Sequence, residues 1–269
     1  MEPMLNIALR AARKAGELIV RASDELDRIA VNEKKANDFV TEIDKKAEQE
    51  VLYHLQKTFP DHGFLGEEGG LVGNADSDYL WIIDPLDGTT NFIRGIPHYA
   101  VSIACRYKGT LEHAVVLDPV RQEEFTASRG RGAQLNGKRI RVSARPSLDG
   151  ALIGTGIPFK SRSEPFIPVY MQSLDAVAHK TAGVRRAGAA ALDLAYVAAG
   201  RLDGFWEIGL KEWDIAGGAL LIREAGGLIG DFTGGNDFME SGNIVAGGPK
   251  CFKALLQTIQ PFLGHLDKN

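Results

Sequence analysis

Trp81-Ile-Ile-Asp84-Pro85-Leu86-Asp87-Gly88-Thr89-Thr90-Asn91 carries most of what this chain says about itself. Tyr79 to Ile83 is a short apolar run that Pro85 must end, so it reads as a buried strand entering a turn. That strand delivers two carboxylates three residues apart, and the proline between them forbids further sheet pairing. Charge at a buried strand end is costly unless something positive neutralises it. Carboxylates supply the hard oxygen ligands that suit Mg²⁺, or Mn²⁺ as a substitute. Asp84 and Asp87, on opposite sides of a tight turn, can each face a different ion, with the Leu86 carbonyl between them. Gly88 lets the chain approach a phosphate closely, and a helix starting here adds its N-terminus to such a site. Asp-Pro and Asp-Gly are also ordinary turn formers, so the motif alone leaves a capped turn open.

Moving outward, Leu5 to Ile19 shows helical apolar spacing, and Asp44 to Phe59 is a second amphipathic helix stopped by Pro60. Lys34-Lys-Ala-Asn-Asp38 between them reads as a polar connector. Turns at Lys108-Gly109 and Asn136-Gly137 link short strands, so strands dominate residues 79–145 without intervening helices. After Pro146, strands at Ala151, Leu202, Leu228 and Asn243 alternate with helices over Pro165–Ala178, Ala189–Ala199, Ile215–Ala225 and Cys251–Leu263. The order predicts an α+β fold of two sheet layers interleaved with helices. It is expected to be one catalytic domain over 1–269, with subdomains of about 1–145 and 146–269.

Further acids lie elsewhere. Gly66-Glu67-Glu68-Gly69-Gly70 follows the apolar pair Phe64-Leu65; Glu68 reads as a solvated loop residue and Glu67 as the better ligand candidate. Glu212-Trp213-Asp214 opens a helix, and Asp214 alone can be its N-cap. Trp81 and Trp213 flank the acids and read as walls of a site, while His98 reads as structural and His62 as part of the loop after the second helix. Gly154-Thr-Gly156 lacks a third glycine, so a dinucleotide fold is not supported. Gly226-Gly227 reads as a helix C-cap.

Net charge −4, from 31 Lys+Arg against 35 Asp+Glu, excludes a polycation built to coat nucleic acid. The two cysteines, Cys105 and Cys251, read as buried thiols in a reducing compartment. Met1-Glu-Pro-Met-Leu-Asn lacks a signal peptide's basic and apolar segments, and no run approaches a membrane span, so a cytoplasmic location with no membrane partner is expected.

Taken together, Trp81–Phe92 resembles the first signature of the inositol monophosphatase family, and Trp213–Gly227 resembles its second. Gly66-Glu67-Glu68 and Asp38-Phe-Val-Thr-Glu-Ile-Asp44 are similar to its two upstream elements, in register from about residue 4 to 255. Met4-Leu-Asn-Ile-Ala and Ala190–Arg201 resemble its bacterial SuhB-type branch most closely. The resemblance implies a layered α-β-α-β-α sandwich of the inositol monophosphatase and sugar phosphatase type, a homodimer, and Li⁺-sensitive cleavage of phosphate monoesters with two or three Mg²⁺ per site.

By the same resemblance, Glu67, Asp84 and the Leu86 carbonyl hold one ion, and Asp84, Asp87 and Asp214 hold another. Asp44 orients Thr89, which positions the attacking water with help from Glu67. Glu67, Leu86, Asp87, Gly88, Thr89, Arg185, Gly188, Ala190, Glu207 and Asp214 match substrate-contacting positions, Glu207 for sugar hydroxyls. Ala189 departs from the family, which often has a hydroxyl residue there.

The expected reaction is hydrolysis of inositol-1-phosphate, a small phosphorylated polyol, to myo-inositol and phosphate. A sugar bisphosphatase or nucleotide 3′-phosphatase is the chemical alternative. The SuhB-type branch also implies a role in ribosomal RNA transcription antitermination with an RNA polymerase/Nus-factor complex and RNA, in which catalysis is incidental. Arg129, Arg131, Lys138, Arg139, Arg141 and Arg145 bear on that alternative, since no acid lies between Ser128 and Pro146. They read either as a solvated hairpin or as a basic ridge for RNA or an acidic partner.

Overall fold

The structure, a computed structural model, describes residues 2–26, 31–35, 38–157 and 164–267. Helix α1 (Pro3–Ser23) starts on a proline, whose missing N–H costs nothing there, and buries Leu5, Ala8, Leu9, Ala12, Ala15 and Ile19 on one face. Strands β1 (Val31–Lys35) and β2 (Asp38–Thr41) pair antiparallel up to Lys35 and Asp38. The predicted polar connector at 34–38 is therefore partly a hairpin; its residues 36 and 37 lie outside the described residues. Helix α2 (Glu42–Thr58) begins with a capping box. The Thr41 hydroxyl accepts the Ile43 and Asp44 N–H groups, and the Asp44 carboxylate accepts the Thr41 N–H at 2.8 Å.

The first sheet follows: β3 (Gly63–Gly66), β4 (Gly70–Gly73), β5 (Tyr79–Asp87), then helix α3 (Thr89–Ile93), β6 (Ala100–Tyr107), β7 (Thr110–Asp118), β8 (Glu123–Ser128), β9 (Gly132–Leu135) and β10 (Lys138–Arg139). Its strand order is β10-β9-β8-β7-β6-β5-β3-β4, antiparallel except where β3 runs parallel to β5. Lys108-Gly109 and Asn136-Gly137 all have positive φ, as two-residue hairpin turns require.

Two expectations for this region are corrected. Pro85 does not end the strand: β5 pairs with β6 through Asp84–Ser102, skips, and pairs again at Asp87–Ala100. The proline sits in that irregularity, beyond the last β3–β5 pair at Gly66–Ile83, so neither neighbour needs its N–H. The strand-rich region is also interrupted, because the five-residue α3 starts directly after Gly88.

The second half holds β11 (Leu152–Thr155), α4 (Ile167–Ala178), β12 (Gly183–Arg185), α5 (Ala190–Ala198), β13 (Gly204–Glu207), α6 (Glu212–Glu224), β14 (Leu228–Gly230), α7 (Phe238–Ser241), β15 (Ile244–Gly247) and α8 (Pro249–Leu263). The second sheet has the order β12-β11-β13-β15-β14. Gly226, at φ +85°, takes the left-handed position after α6.

Side-chain alternation along β5 sorts the layers. Trp81 and Ile83 join the apolar cluster with α1 and α2, whereas Ile82 faces the opposite cluster with α5 and α6. A third cluster packs the far face of the second sheet against α4 and α8. The result is α-β-α-β-α, five layers. The central layer is thin because α6 carries Gly217 and Gly218 at its contacts. A Cβ on Gly217 would stand 2.8 Å from the Ser102 hydroxyl of β6, and one on Gly218 would collide with Leu194 of α5. The two glycines are thus places where helix and sheet pack closely. Among the described residues no helix is long and apolar enough to cross a membrane.

Candidate active site

Four acids from three separate segments act on one another at the C-terminal end of β5. Asp84 is wholly buried, and Glu67, Asp87 and Asp214 raise its carboxyl further above the usual range after burial itself has done most of the work. Asp87 is pushed up in the same way, by burial first and then by Asp214. Only backbone amides oppose these shifts. The Leu86 N–H donates to Asp84 at 3.0 Å, and the Ala191 N–H donates to Asp87 at 2.7 Å. Among the described residues, neither Asp84 nor Asp87 has a Lys or Arg partner.

Each acid is held by its element. Glu67 follows β3, with its N–H on the Ile83 carbonyl at 3.1 Å. Asp214 was read as a possible N-cap, but the helix begins at Glu212 and Asp214 stands one turn in. There its carboxylate accepts the Lys211 N–H at 2.6 Å, so the capping reading is corrected by position and keeps its chemistry. The oxygens of Asp84, Asp87 and Asp214 are thus aimed by main-chain donors, and among the described residues no three acidic or histidine side chains already stand as a closed ligand set.

Thr89 sits at the start of α3, and its hydroxyl reaches Asp44 Oδ1 at 2.8 Å and the Leu86 carbonyl at 3.1 Å. One proton serves one acceptor at a time, and the carboxylate is the stronger. Burial raises the Asp44 carboxyl above its ordinary value, and the Thr41 and Thr89 hydrogen bonds resist that shift. Gly88 has φ +94°, and a Cβ there would lie 3.0 Å from the His98 carbonyl, so only glycine fits. Asn91 closes the loop by donating to the carbonyls of His98 and Ala187, at 2.8 and 2.9 Å.

On the opposite wall, Gly188 and Ala190 lead into α5, and its N-cap residue Ala189 has no polar side chain, the Ala191 amide being taken by Asp87 instead. A Ser or Thr cap there is typically worth about 1 kcal/mol. Glu207, buried at the end of β13, has its carboxyl driven up by burial and then by Asp193, Asp214 and Asp87.

Two members of this wall went unread in the sequence. Asp193 of α5 is buried and its carboxyl is raised to about 8, and Arg186 is the cation that both Asp193 and Glu207 feel. The expected substrate contact Arg185 is exposed on the edge strand β12, with its guanidinium folded onto the Val184 carbonyl at 3.2 Å. A polar residue one place inside an otherwise apolar helix, Asp193 among Leu192 and Leu194, was the available signal.

Trp81 does not wall the acids. Its ring is buried on the α1–α2 side, stacks on Phe59 and donates to His62 Nδ1 at 3.0 Å, because successive strand residues face opposite ways. Trp213 lines a cavity of about 450 Å³ with Leu65, Phe166 and Met239, and none of the four acids is in that lining. His62 packs after α2 as expected, and His98 lies edge-on to Tyr196. Cys105 and Cys251 are buried free thiols, pushed up to about 12 and about 11 by burial.

The basic stretch is half neutralised. Arg129 meets Glu112 at 3.0 Å, Arg131 meets Glu2 at 3.4 Å and Arg145 meets Asp203 at 3.3 Å. Lys138, Arg139 and Arg141 have no acidic partner among the described residues.

The inositol monophosphatase family pattern matches residues 1–263. The chain is 66% identical over 265 residues to a Pseudomonas aeruginosa protein named Nus factor SuhB, covering 98% of both chains. Among solved structures it superposes on the extragenic suppressor protein suhB from Bartonella henselae with a TM-score of 0.93 and 44% identity, covering 96% of this chain and 98% of that one. An inositol monophosphatase from Anabaena superposes with a TM-score of 0.85 at 36% identity, over 96% and 95% of the two chains. With that fold, these acids and near full-length similarity, the chain belongs to the inositol monophosphatase family.

Proposed function

We propose that this protein is a Mg²⁺-dependent phosphatase that hydrolyses inositol-1-phosphate to myo-inositol and phosphate. The observation that carries the reading is Asp84: a wholly buried carboxylate pressed by Glu67, Asp87 and Asp214, with only a backbone donor to relieve it. Burying such a group unpaired is expensive, and a divalent cation is the neutraliser whose ligand chemistry fits carboxylates and a backbone carbonyl. Glu67, Asp84 and the Leu86 carbonyl would hold one ion, and Asp84, Asp87 and Asp214 a second. When bound, such ions supply Lewis-acid charge, lower the pKa of water and steady a leaving alkoxide.

The chain's own groups do the rest. Asp44 accepts the hydrogen bond of the Thr89 hydroxyl, which leaves the Thr89 lone pairs free to accept from an attacking water and orient it. Glu67 accepts that water's proton. Gly88, having no side chain, allows the backbone from Leu86 to Thr89 to approach the phosphate. Glu207, Gly188 and Ala190 face the polyol, Arg185 stands at the rim, and Asp214 lies on the side from which the leaving oxygen is protonated.

A panel of phosphate-release assays with inositol-1-phosphate, fructose-1,6-bisphosphate and a 3′-phosphoadenosine nucleotide tests this. Highest kcat/KM on the inositol ester, abolished by chelation, is expected. Preference for the bisphosphate or the nucleotide would move the assignment to the chemical alternatives.

A second reading rests on the relatives named Nus factor SuhB, from Pseudomonas aeruginosa at 66% identity and Escherichia coli at 53%. In it the chain also joins a transcription antitermination complex, with Lys138, Arg139 and Arg141 as its unpaired basic surface. A variant inactive in phosphate release that still supports growth would make catalysis incidental to that role.

A further inference from the structure

Glu48 lies in the middle of α2, is 4% exposed, and has no Lys or Arg partner among the described residues. It faces the same side as the buried Ala47 and Val51, where a carboxylate is costly unless hydrogen-bonded. Its partners are two consecutive main-chain amides of another segment: the Glu68 N–H donates to Oε2 at 2.9 Å and the Gly69 N–H donates to Oε1 at 2.7 Å. The preceding amide, that of Glu67, is already bound to the Ile83 carbonyl next to Asp84. Three amides in succession are therefore fixed, one by β5 and two by a single carboxylate. That sets the direction in which the Glu67 side chain leaves the backbone relative to Asp84.

The glycines around Glu67 follow from the same contact. A Cβ on Gly66 would collide with the Glu48 carboxylate, and one on Gly69 would come within 2.8 Å of Oε1. Asp44, which receives the Thr89 hydroxyl, stands one turn before Glu48 on α2. Residues four apart lie on one helix face.

We propose that Glu48 is a positioning residue for Glu67, so that one face of α2 mounts both the Thr89 hydroxyl, through Asp44, and the Glu67 carboxylate, through Glu48. The proposal rests on the divalent-cation reading above for its consequence, and on the hydrogen bonds alone for its geometry. Partners that orient ligating groups typically change metal affinity by about 10–100-fold when lost.

The test uses the full chain with Glu48→Ala and Glu48→Gln, the second keeping one acceptor oxygen and the volume in case the first fails to fold. Two measurements are made: amide hydrogen exchange over residues 66–70, and the Mg²⁺ concentration at the midpoint of the metal-induced rise in Tm. Exchange at Glu68 and Gly69 is expected to accelerate in both variants. The Mg²⁺ midpoint is expected to rise about 10–100-fold in Glu48→Ala, and less in Glu48→Gln. In a Glu67→Gln background, Glu48→Ala should add no further change in that midpoint. An unchanged midpoint despite faster exchange would reduce Glu48 to a brace of the β3–β4 turn and overturn the proposal, as would additive effects in the double variant. If the wild-type chain shows no Mg²⁺ response, the cation reading falls. The exchange measurement then still decides the geometry, unchanged exchange overturning it and faster exchange supporting it.

Discussion

The segments carrying Glu67, Asp84, Asp87 and Asp214 and the surface from Arg129 to Arg145 each gather charge of one sign, but the chain treats them oppositely. Around residues 129–145, acids from distant positions (Glu112, Glu2 and Asp203) come to the arginines and dissipate their field in solvent. Around Asp84 the polypeptide brings more acids instead, Asp84 itself buried and the others half-buried, so the field accumulates. Surface pairs of the first kind contribute at most about 1 kcal/mol each. The second arrangement costs the fold stability, and on the function proposed here a bound cation offsets that cost. A charge cluster is informative when the fold declines to neutralise it.

The sharpest way to break this contrast is Asp87→Asn. Phosphate release should fall by at least about 10²–10³-fold, the scale of losing one preorganised charge-stabilising group, with an unchanged circular dichroism spectrum. Near wild-type turnover by the folded variant would remove Asp87 from the ligand set.

Next in size is the effect of the cation on stability. An acid whose folded pKa is raised contributes its full share below its unfolded value, and that share is lost as pH climbs to the folded value. For Asp193 that window runs from 3.8 to about 8, and Asp84, Asp87 and Glu207 shift the same way. The metal-free protein should therefore lose stability from pH 4 towards 8. Saturating Mg²⁺ should raise Tm by roughly 5–10 °C, and by more at pH 8 than at pH 6. Equal increments at both values would show that these carboxylates are not what the cation relieves.

Thr89→Ala is smaller. It should lower kcat by about 10–100-fold while KM moves little, since the hydroxyl is held by Asp44 to orient water. A change confined to KM would make Thr89 a binding group. Least visible to stability is Arg139→Glu with Arg141→Glu, expected to alter stability within about 0.5 kcal/mol while weakening any contact with a transcription complex or RNA. Unchanged binding in a pull-down with that complex would return the basic stretch to ordinary surface.

Much of the architecture was written in local patterns. Asn136-Gly137 and Lys108-Gly109 took their hairpins because glycine, and asparagine beside it, accept positive φ readily. The expected helices from Ala189 onward fell within a few residues of where their apolar spacing put them, though the short helix Phe238–Ser241 was not foreseen. What escaped depended on partners far along the chain. Pro85 was read as a stop because its missing N–H was counted without knowing that β3 had already ended beside it. Trp81 was placed beside the acids by proximity in sequence, although strand alternation turns it away. Glu48 was passed over because tracing the apolar face of α2 selects the residues that fit the pattern, and the informative one broke it. Arg186 was passed over because its effect on Asp193 and Glu207 depends on elements far from it in sequence.

The helix bearing Asp214 touches the first sheet through Gly217 and α5 through Gly218, so main chain meets its neighbours with almost nothing between. Flexible side chains usually absorb the small volume changes that accumulate as proteins diverge, and here that cushion is missing. Enlarging Ser102, Val116 or Leu194, none of them among the proposed site residues, would translate the whole helix and carry its acid with it. Divergence along this seam should therefore register first as altered ion affinity, well before the protein ceases to fold.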